Sequence, residues 1–472
     1  MPLQVFNTLS AKKEEFVPLE GKTVRMYACG PTVYDSSHLG HARMAIVWDM
    51  IQRYLRFLGY KVTFVRNITD VDDKIINRAK ELGTSPDQLS RKYTFEFWRD
   101  MYALNVMAPD FEPKATEFIQ PMIQFIKELI DSNHAYAVNG DVYFDVASFK
   151  DYGKLSKQNI EQLQSGAREQ VRSQEELGSI KKNPVDFALW KSASETELGW
   201  PSPWGYGRPG WHLECSTMIR TVLGETIDIH GGGEDLVFPH HENEIAQSEA
   251  LHKKNLAKYW LHNSFVQVSA EKMSKSLGNY KTIEDLLQNY SADTLRLLIL
   301  QTHYRNPIDF TADSLSAAKT AAGRLVRAAA FYRSHKDANG NSGEPSAAVK
   351  KAVADAEKAF SEAMDNDFNT AVALSVLFGL ADKVFQTKVV AEQIAYAGTL
   401  EKLAQVLGFT LADNRTDLEP EAARKVMDLV LELRKNARAN KDYATSDLIR
   451  NQLSQIGINV MDTPSGASWE KS

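Results

Sequence analysis

The segment 22–66 limits the fold of this chain more than any other, because it has the pattern of a β-α-β unit. The apolar string VRMYAC at 24–29 has strand composition and ends at Gly30-Pro31, a pair that breaks strands. From Gly40 the apolar residues recur at helical spacing, and Gly59 suits a helix C-terminus. The string KVTFVRNITD at 61–70 supplies a second strand. This pattern predicts a Rossmann-like parallel sheet of the α/β class.

The string His-Leu-Gly-His at 38–41 lies at the strand-to-helix turn of this unit. Free N–H groups and the helix dipole favour phosphate at such a turn. Gly40 lets a nucleotide approach the backbone closely, and the imidazoles of His38 and His41 can donate hydrogen bonds to phosphate oxygens. On its own, such a string is more often a surface turn.

A second string, Lys-Met-Ser-Lys-Ser at 272–276, precedes Gly278. Lys272 and Lys275 bring two ammonium groups to one short loop, which suits a mobile clamp on a leaving pyrophosphate. A loop of lysine and serine alone usually faces solvent. Because both strings occur in this order and in fitting contexts, we expect ATP binding and adenylate-forming chemistry.

Composition restricts the class of protein further. A chain of 472 residues is too long for one simple core, so two to four domains are expected. The N-terminal residues lack a signal-peptide core, and no stretch approaches the ~18 apolar residues of a membrane span, so we expect a cytoplasmic protein without a membrane partner. With two cysteines, a disulfide scaffold is excluded. The net charge of −6 argues against an overall basic protein but leaves a local nucleic-acid surface open.

The order of patterns along the chain predicts a sheet domain split by an insertion. Residues 135–146 have the pattern of a hairpin with an Asn139-Gly140 turn, whereas 150–210 look irregular. The parallel pattern resumes at 226–236, where a strand precedes a glycine run, and at 259–268. From about 311 the chain is helical, with a polar loop at 334–346. The predicted domains are the first half of the sheet domain at 1–125, an inserted connective subdomain at 126–205, the second half of the sheet domain at 206–265, a region with the Lys-Met-Ser-Lys-Ser string at 266–310, a helical bundle at 311–412 and a small C-terminal domain at 413–472.

Four residues form a candidate metal site. Cys29 ends a predicted strand, Cys215 lies in GWHLEC, and His240 and Glu244 are four residues apart on a predicted helix, hence on one face. Two thiolates, an imidazole and a carboxylate suit Zn²⁺ better than Ca²⁺ or Mg²⁺. His241 and Glu242 compete as ligands but fall on other helix faces. Each cysteine could instead be a small buried hydrophobic residue.

Five strings together resemble one family: CGPTVYDSSHLGH, NITDVDDKI, GWHLECS, HGGGEDLVFPHHENE and KMSKSLGN. On these strings the chain is similar to the cysteinyl-tRNA synthetases, which are class I aminoacyl-tRNA synthetases. The similarity extends from Tyr27 to the C-terminal DTPSGASWE, and the one visible variation is Leu39 in place of isoleucine.

The resemblance implies a two-step reaction, in which cysteine and ATP form cysteinyl-AMP and the terminal ribose of tRNA(Cys) then takes the cysteinyl group. It implies that His38 and His41 bind ATP phosphates, that Lys272 and Lys275 bind pyrophosphate, and that Mg²⁺ accompanies ATP. The turn at 230–233, with Asp235, resembles the part that admits adenosine. The implied ATP-binding residues are Gly40, Gly231, Gly232, Gly233, Asp235 and Lys275.

The resemblance also implies that Cys29, Cys215, His240 and Glu244 bind one zinc ion per chain. Zinc would select the substrate thiolate, since serine offers a harder and less acidic donor and alanine offers none. Discrimination of this kind removes the need for an editing domain, and no insertion of editing size is evident. The implied amino-acid pocket contains Gly30, Thr69, Trp211 and His230, although Trp211 could also be simple core packing.

The C-terminal string RKNARANKDYATSDLIR carries a run of charges, which is usually a solvated helix face. The resemblance implies instead an anticodon-binding domain, in which Arg438, Asp447 and Asp462 read bases and Tyr443 stacks on one. A monomer is expected. Two alternatives remain, namely a cysteine:glucosaminyl-inositol ligase of mycothiol synthesis, which lacks a full anticodon module, and a non-catalytic tRNA-binding paralogue.

Overall fold

The structure is a computed structural model that describes residues 2–158, 181–268, 271–272, 281–335, 343–412, 420–455, 458–463 and 466–471. Its strands are β1 (Gln4–Asn7), β2 (Lys12–Glu15), β3 (Thr23–Ala28), β4 (Lys61–Arg66), β5 (Ala135–Val138), β6 (Asp141–Phe144), β7 (Phe187–Ser192), β8 (Trp200–Ser202), β9 (Gly205–Pro209), β10 (Ile227–Gly233), β11 (Ala257–Asn263), β12 (Val266–Val268), β13 (Glu271–Lys272), β14 (Ile308–Asp309), β15 (Ile458–Thr463) and β16 (Gly466–Lys471).

The helices fall into a group around the sheets, a bundle and a C-terminal pair. They are α1 (Leu39–Phe57), α2 (Asp73–Leu82), α3 (Pro86–Ala103), α4 (Ile119–Asp131), α5 (Trp211–Val222), α6 (Glu242–His252), α7 (Ile283–Leu287), α8 (Ala292–Leu300), α9 (Ala312–His335), α10 (Ala347–Asp365), α11 (Thr370–Gln386), α12 (Val390–Val406), α13 (Pro420–Ala439) and α14 (Tyr443–Gln455). The chain divides into two compact units, 1–412 and 413–472.

A four-stranded parallel sheet in the order β11-β10-β3-β4 organises the first unit. Helix α1 connects β3 to β4, as the β-α-β pattern predicts, and its last turn is followed by Gly59 at φ +84°. Trp48, Ile51 and Leu55 are buried on this helix. The parallel α/β fold predicted from the sequence is therefore confirmed.

The glycine run at 231–233 lies inside β10. The sequence pattern had predicted instead that the run follows the strand. Gly231 pairs with Ala28 on one side and Leu261 on the other. A Cβ on Gly231 would lie 1.7 Å from the carbonyl oxygen of Leu261. The strand extends through the glycines because glycine allows this close approach of the neighbouring backbone.

The expectation of irregular structure across 150–210 was wrong for its last part. A five-stranded antiparallel sheet in the order β5-β6-β7-β9-β8 includes three strands between 187 and 209. Gly207 in β9 would place a Cβ 2.3 Å from the carbonyl oxygen of Lys191, so glycine is needed for this pairing. Glycine and proline in short strands conceal the alternating pattern on which strand prediction relies. The hairpin at Asn139-Gly140 is present, with both residues at positive φ.

The helices α9 to α12 form the predicted bundle, and their apolar faces share one core with α1. Fully buried Arg296 on α8 connects these parts, because it donates to Asp49 of α1 at 2.5 Å and to the carbonyl oxygen of Leu407 after α12 at 3.0 Å. Most of the predicted polar loop at 334–346 lies outside the described residues. The individual domain boundaries stay predictions.

Candidate active site and metal centre

A cavity of about 500 Å³ opens at the carboxyl ends of the parallel strands, the place where open α/β sheets bind ligands. Its wall includes Cys29 and Gly30 after β3, Gly233 at the end of β10 and Asn263 at the end of β11. The N-terminus of α1 and Trp211 complete the wall. Of the predicted site residues, the cavity is lined by Cys29, Gly30, His38, Gly40, His41, Trp211, Gly233 and Asp235.

His38 and His41 form the N-terminal cap of α1. The Nδ1 atom of His38 accepts from the backbone N–H of Gly40 at 3.1 Å, and Nδ1 of His41 accepts from the N–H of His38 at 3.1 Å. The two rings lie 4.1 Å apart between centroids. Because Nδ1 accepts in both rings, each neutral imidazole carries its proton on Nε2. Two Nε2–H donors at a helix N-terminus suit the phosphate binding expected from the sequence.

The predicted metal ligands converge although they come from four separate parts of the chain. One ligand atom from each of Cys29, Cys215, His240 and Glu244 lies within 4.8 Å of the others, and all four residues are buried. The two sulfur atoms are 3.6 Å apart, Cys215 Sγ is 3.6 Å from His240 Nε2, and His240 Nε2 is 3.0 Å from Glu244 Oε1.

The distances that involve sulfur fit a tetrahedral metal, whereas the 3.0 Å between His240 Nε2 and Glu244 Oε1 is that of a direct hydrogen bond. Zinc–sulfur bonds of about 2.3 Å and zinc–nitrogen bonds of about 2.0 Å place ligand atoms about 3.3–3.8 Å apart. The sulfur–sulfur and sulfur–nitrogen distances lie in that range, and Cys29 Sγ is 3.4 Å from Glu244 Oε1. A cluster of two thiols, an imidazole and a carboxylate is thus compatible with a metal site.

Burial and ion pairing set the protonation of the cluster. Burial opposes the charge on Glu244, but His230 and His240 outweigh it and hold the pKa of this carboxyl well below its ordinary value. Burial likewise opposes a charge on His240, yet the Glu244 carboxylate raises the pKa of this imidazole to about 10. Metal ligands must be deprotonated to bind, so the carboxylate is in its binding form and His240 would release a proton on loading.

His241 also faces the cluster, in contrast to the expectation from helix faces. Its Nε2 atom lies 3.3 Å from Cys29 Sγ, and a second possible donor group contains Cys29, His230, His241 and Glu244. The spacing argument fails because residues three apart share a helix face as residues four apart do, and His241 Nε2 lies 4.0 Å from Glu244 Oε1. The side chain of Glu242 instead accepts from the N–H groups of Gly153 and Ser156 at 2.9 and 2.8 Å.

Two further histidines, which residue spacing could not identify, contact the imidazoles of His240 and His241. His212 Nδ1 is 2.9 Å from His240 Nδ1, and His262 Nε2 is 2.8 Å from His241 Nδ1. Such contacts hold a ligand imidazole in one tautomer and orientation. His212 lies in the GWHLEC string, but nothing in the sequence pattern separates it from a solvated histidine.

The predicted amino-acid pocket is brought together only in part. Trp211 stacks on His240 with centroids 4.1 Å apart, and Gly30 lies beside Cys29 in the cavity wall. His230 is fully buried beneath the cluster and binds Glu244 Oε2 through Nε2 at 2.7 Å. Thr69 is buried, and its hydroxyl donates to Glu214 Oε2 at 2.9 Å. Neither of the last two belongs to the cavity wall.

The second lysine string is described only at its start. Lys272 is the second residue of β13, which pairs with β12, and its side chain lies outside the described part. Lys275 lies outside the described residues altogether. Gly231 and Gly232 are buried in β10 behind the cavity wall.

The predicted anticodon residues all lie in the second unit. Arg438 is exposed near the end of α13, and Tyr443, which is 60% exposed, begins α14. Asp447 on α14 lies 3.3 Å from Arg450. Asp462 is part of β15, where it pairs with Ala467, and its side chain is not described. In the described part of the chain, no helix combines the length and the apolar character needed to cross a membrane.

Family models and solved structures show which proteins the chain resembles. A family model described as tRNA synthetases class I (C) catalytic domain matches residues 15–320, and the DALR domain matches 359–412. Among solved structures, methionyl-tRNA synthetase of Mycobacterium tuberculosis has a TM-score of 0.58 at 17% identity, covering 87% of this chain and 94% of its own. The LeuRS of Agrobacterium radiobacter K84 has a TM-score of 0.61 at 12% identity, covering 83% and 84%. These likenesses support the class I fold.

Curated relatives match over their full length. The cysteine–tRNA ligase of Heliobacterium modesticaldum is 46% identical and that of Maridesulfovibrio salexigens is 48% identical, with at least 99% of each chain covered. The cysteine–tRNA ligase of Bacillus licheniformis is 45% identical over 100% of this chain and 99% of its own. With this identity over the whole length, the chain belongs to the cysteine–tRNA ligase family of class I aminoacyl-tRNA synthetases.

Proposed function

We propose that this protein activates L-cysteine with ATP to cysteinyl-AMP and transfers the cysteinyl group to the 3′ end of tRNA(Cys). One observation carries the proposal: Cys29, a member of the cluster with Cys215, His240 and Glu244, lines the same cavity as the two capping histidines. An enzyme that joins an amino acid to ATP must hold the carboxylate oxygen and the α-phosphorus about 3–3.5 Å apart, so both substrates must share one cavity.

In the first step, the substrate carboxylate attacks the α-phosphate and pyrophosphate leaves. Charge builds on the phosphate oxygens, and the Nε2–H groups of His38 and His41 are positioned to donate to them. Lys272 and Lys275 would hold the leaving pyrophosphate, with Mg²⁺ bound to the ATP phosphates. Gly40, Gly233 and Asp235 line the cavity and are proposed to contact ATP, and Gly231 and Gly232, which are buried in β10, are assigned to the same ATP site.

Selection of cysteine is assigned to the metal cluster. A zinc ion held by Cys29, Cys215, His240 and Glu244 would bind the side-chain thiolate of the substrate, a bond for which serine and alanine have no equivalent. Gly30 lines the cavity beside Cys29 and is proposed to contact the substrate through its backbone, and Trp211 holds the ring of His240 by stacking. His230 fixes the Glu244 carboxylate, and the Thr69 hydroxyl donates to the buried carboxylate of Glu214.

The second unit is proposed to bind the anticodon. Arg438, Asp447 and Asp462 would contact base edges, and exposed Tyr443 offers a ring on which a base can stack. We further propose that the enzyme works as a monomer, in the cytoplasm, where the ligand thiols stay reduced. The domain bounds predicted from the sequence remain our proposal for the domains of this protein.

The proposal is tested by following cysteine-dependent exchange of pyrophosphate into ATP, together with charging of tRNA(Cys) by cysteine, serine and alanine. We expect exchange and charging with cysteine, and rejection of serine by a factor of ~10⁴. Exchange without charging, combined with amide formation on glucosaminyl-inositol, would identify the mycothiol-type ligase. Absence of exchange would leave a tRNA-binding protein and refute the enzyme proposal.

The metal assignment has its own measurement. Zinc content determined by elemental analysis should be one ion per chain, and Cys215→Ser should lower it strongly while helicity is retained. The KM for cysteine should rise in that variant more than the KM for ATP. A wild-type zinc content in Cys215→Ser would overturn the assignment of this residue as a ligand.

A further inference from the structure

Lys74 is an exposed residue of the cavity wall, and the first step as proposed above gives it no role. It belongs to the first turn of α2, is exposed, and lines the same cavity as His38 and Trp211. Its Nζ atom lies 5.8 Å from the ring centroid of Tyr34, which is also part of the cavity wall. The side chain therefore extends over an aromatic ring at the entrance and not into the protein interior.

The carboxylates next to Lys74 in the chain are bound to other groups. Asp72 caps α2 and accepts from the backbone N–H of Lys74 at 2.8 Å. Asp73 lies 2.7 Å from both Lys191 Nζ and an Arg208 nitrogen. Within the described ranges, no carboxylate oxygen lies within 4 Å of Lys74 Nζ. Among the described residues, the ammonium group of Lys74 thus has an aromatic ring as its neighbour and no carboxylate as an ion-pair partner.

We propose that Lys74 binds the phosphate that joins the last two nucleotides of the tRNA during the second step. This inference rests on the proposed function. The terminal ribose must enter the cavity to reach the cysteinyl carbonyl, and that phosphate is the tRNA charge nearest to the reacting hydroxyl. A phosphate that leaves bulk water needs a compensating cation, which Lys74 provides at the entrance. The ATP phosphates are assigned to His38 and His41, which are half-buried, whereas Lys74 is exposed.

The two steps of the reaction should respond differently to loss of this charge. Lys74→Gln keeps a long polar side chain at an exposed position, so the fold should be unaffected. We expect unchanged cysteine-dependent exchange and a fall of about tenfold in kcat/KM for tRNA, the loss expected for one charged hydrogen bond. Lys74→Arg should restore charging. Lys80→Gln, at an exposed position on the same helix outside the cavity wall, is the matched control and should resemble the wild type.

Salt dependence provides a readout that a purely structural role would not change. The slope of log KM for tRNA against log salt concentration should be shallower by about 0.7 in Lys74→Gln than in the wild type, as expected for one lost contact to a single strand. A tRNA with an uncharged methylphosphonate between its last two nucleotides should lower wild-type charging about tenfold and leave Lys74→Gln at its already reduced rate.

Several outcomes would overturn the assignment. Equal losses in exchange and charging would place Lys74 in the first step, and unchanged charging or an unchanged salt slope would show that it binds no tRNA phosphate. Additive effects of Lys74→Gln and the methylphosphonate would place the contact elsewhere on the tRNA. Failure of the proposed function looks different, since the wild type would then show neither cysteine-dependent exchange nor charging.

Discussion

At the scale of single residues, His38 has two roles that can be separated. Its Nδ1 atom caps α1, and its Nε2–H group is proposed to donate to ATP phosphate. Asparagine can cap a helix but cannot place a donor where Nε2 lies, whereas alanine does neither. Both substitutions should lower the rate of ATP–pyrophosphate exchange about 100-fold. His38→Ala should also lower the free energy of unfolding by about 1 kcal/mol, and His38→Asn should leave it unchanged. Wild-type exchange in His38→Asn would contradict the role in phosphate binding.

Gly231 provides a second test at this scale, because the packing around it leaves no room for a side chain. Gly231→Ala would force apart β10 and β11, since the new Cβ would lie 1.7 Å from a carbonyl oxygen. The expected loss of stability is about 3 kcal/mol, measured by urea unfolding. Gly379 in α11 is the control, because nothing lies within 4 Å of its Cβ position, and Gly379→Ala should stabilise the protein by about 1 kcal/mol. Equal midpoints for the two variants would refute this packing argument.

At the scale of secondary-structure elements, Asp73 connects α2 to the five-stranded sheet. Burial opposes its charge, but hydrogen bonds from Lys191 on β7 and Arg208 on β9 outweigh burial and lower the pKa of this carboxyl. A pKa that is lower in the folded state stabilises the protein above the unfolded value of about 4, and the effect disappears as pH falls through the folded pKa.

Asp73→Asn should therefore destabilise the protein near neutral pH and match the wild type in acid. The side chain of Asp73 is 45% exposed, so the difference near pH 7 should not exceed about 1 kcal/mol. Thermal unfolding of both proteins between about pH 3 and pH 7 measures it. A difference in stability that does not vary with pH would show that the carboxylate charge is not what holds these elements together.

At the scale of the whole molecule, the division into residues 1–412 and 413–472 predicts separable activities. A chain that ends at Ala412 keeps the cavity and the metal cluster, so cysteine-dependent exchange should persist. Charging of tRNA(Cys) should fall about 100-fold or more, because several base contacts of about 1–3 kcal/mol each would be lost. Normal charging by the shortened chain would refute an anticodon role for the second unit.

Tyr443→Ala in the full chain tests the same role by a single side chain. Loss of one stacked base should raise the KM for tRNA about tenfold and leave exchange unchanged. Tyr443→Trp is the control, because a larger ring still stacks, and it should charge like the wild type. A normal KM in Tyr443→Ala would mean that this exposed ring binds no base.

Local patterns were sufficient wherever a feature depended on a few consecutive residues. The β-α-β unit, the cap at 38–41 and the Asn139-Gly140 hairpin follow from spacing and turn chemistry, and all are present. Prediction failed where neighbouring chain segments set the conformation. Gly207 and Gly231 lie inside strands because an adjacent backbone approaches too closely for any side chain. The error at His241 has a local cause instead, because a residue three positions before Glu244 shares a helix face with it.

The sequence by itself determined the fold class, the family resemblance and the chemical types of the site residues, because these depend on residue identity and periodicity. Only the tertiary structure decided which of these site residues lie close together. Cys29 and Cys215 have sulfur atoms 3.6 Å apart only because β3 and α5 are brought together by the parallel sheet. The same packing added His212 and His262 behind the cluster and placed Lys74 at the cavity entrance. Distances between remote residues are set by how whole elements pack, and no local pattern encodes them.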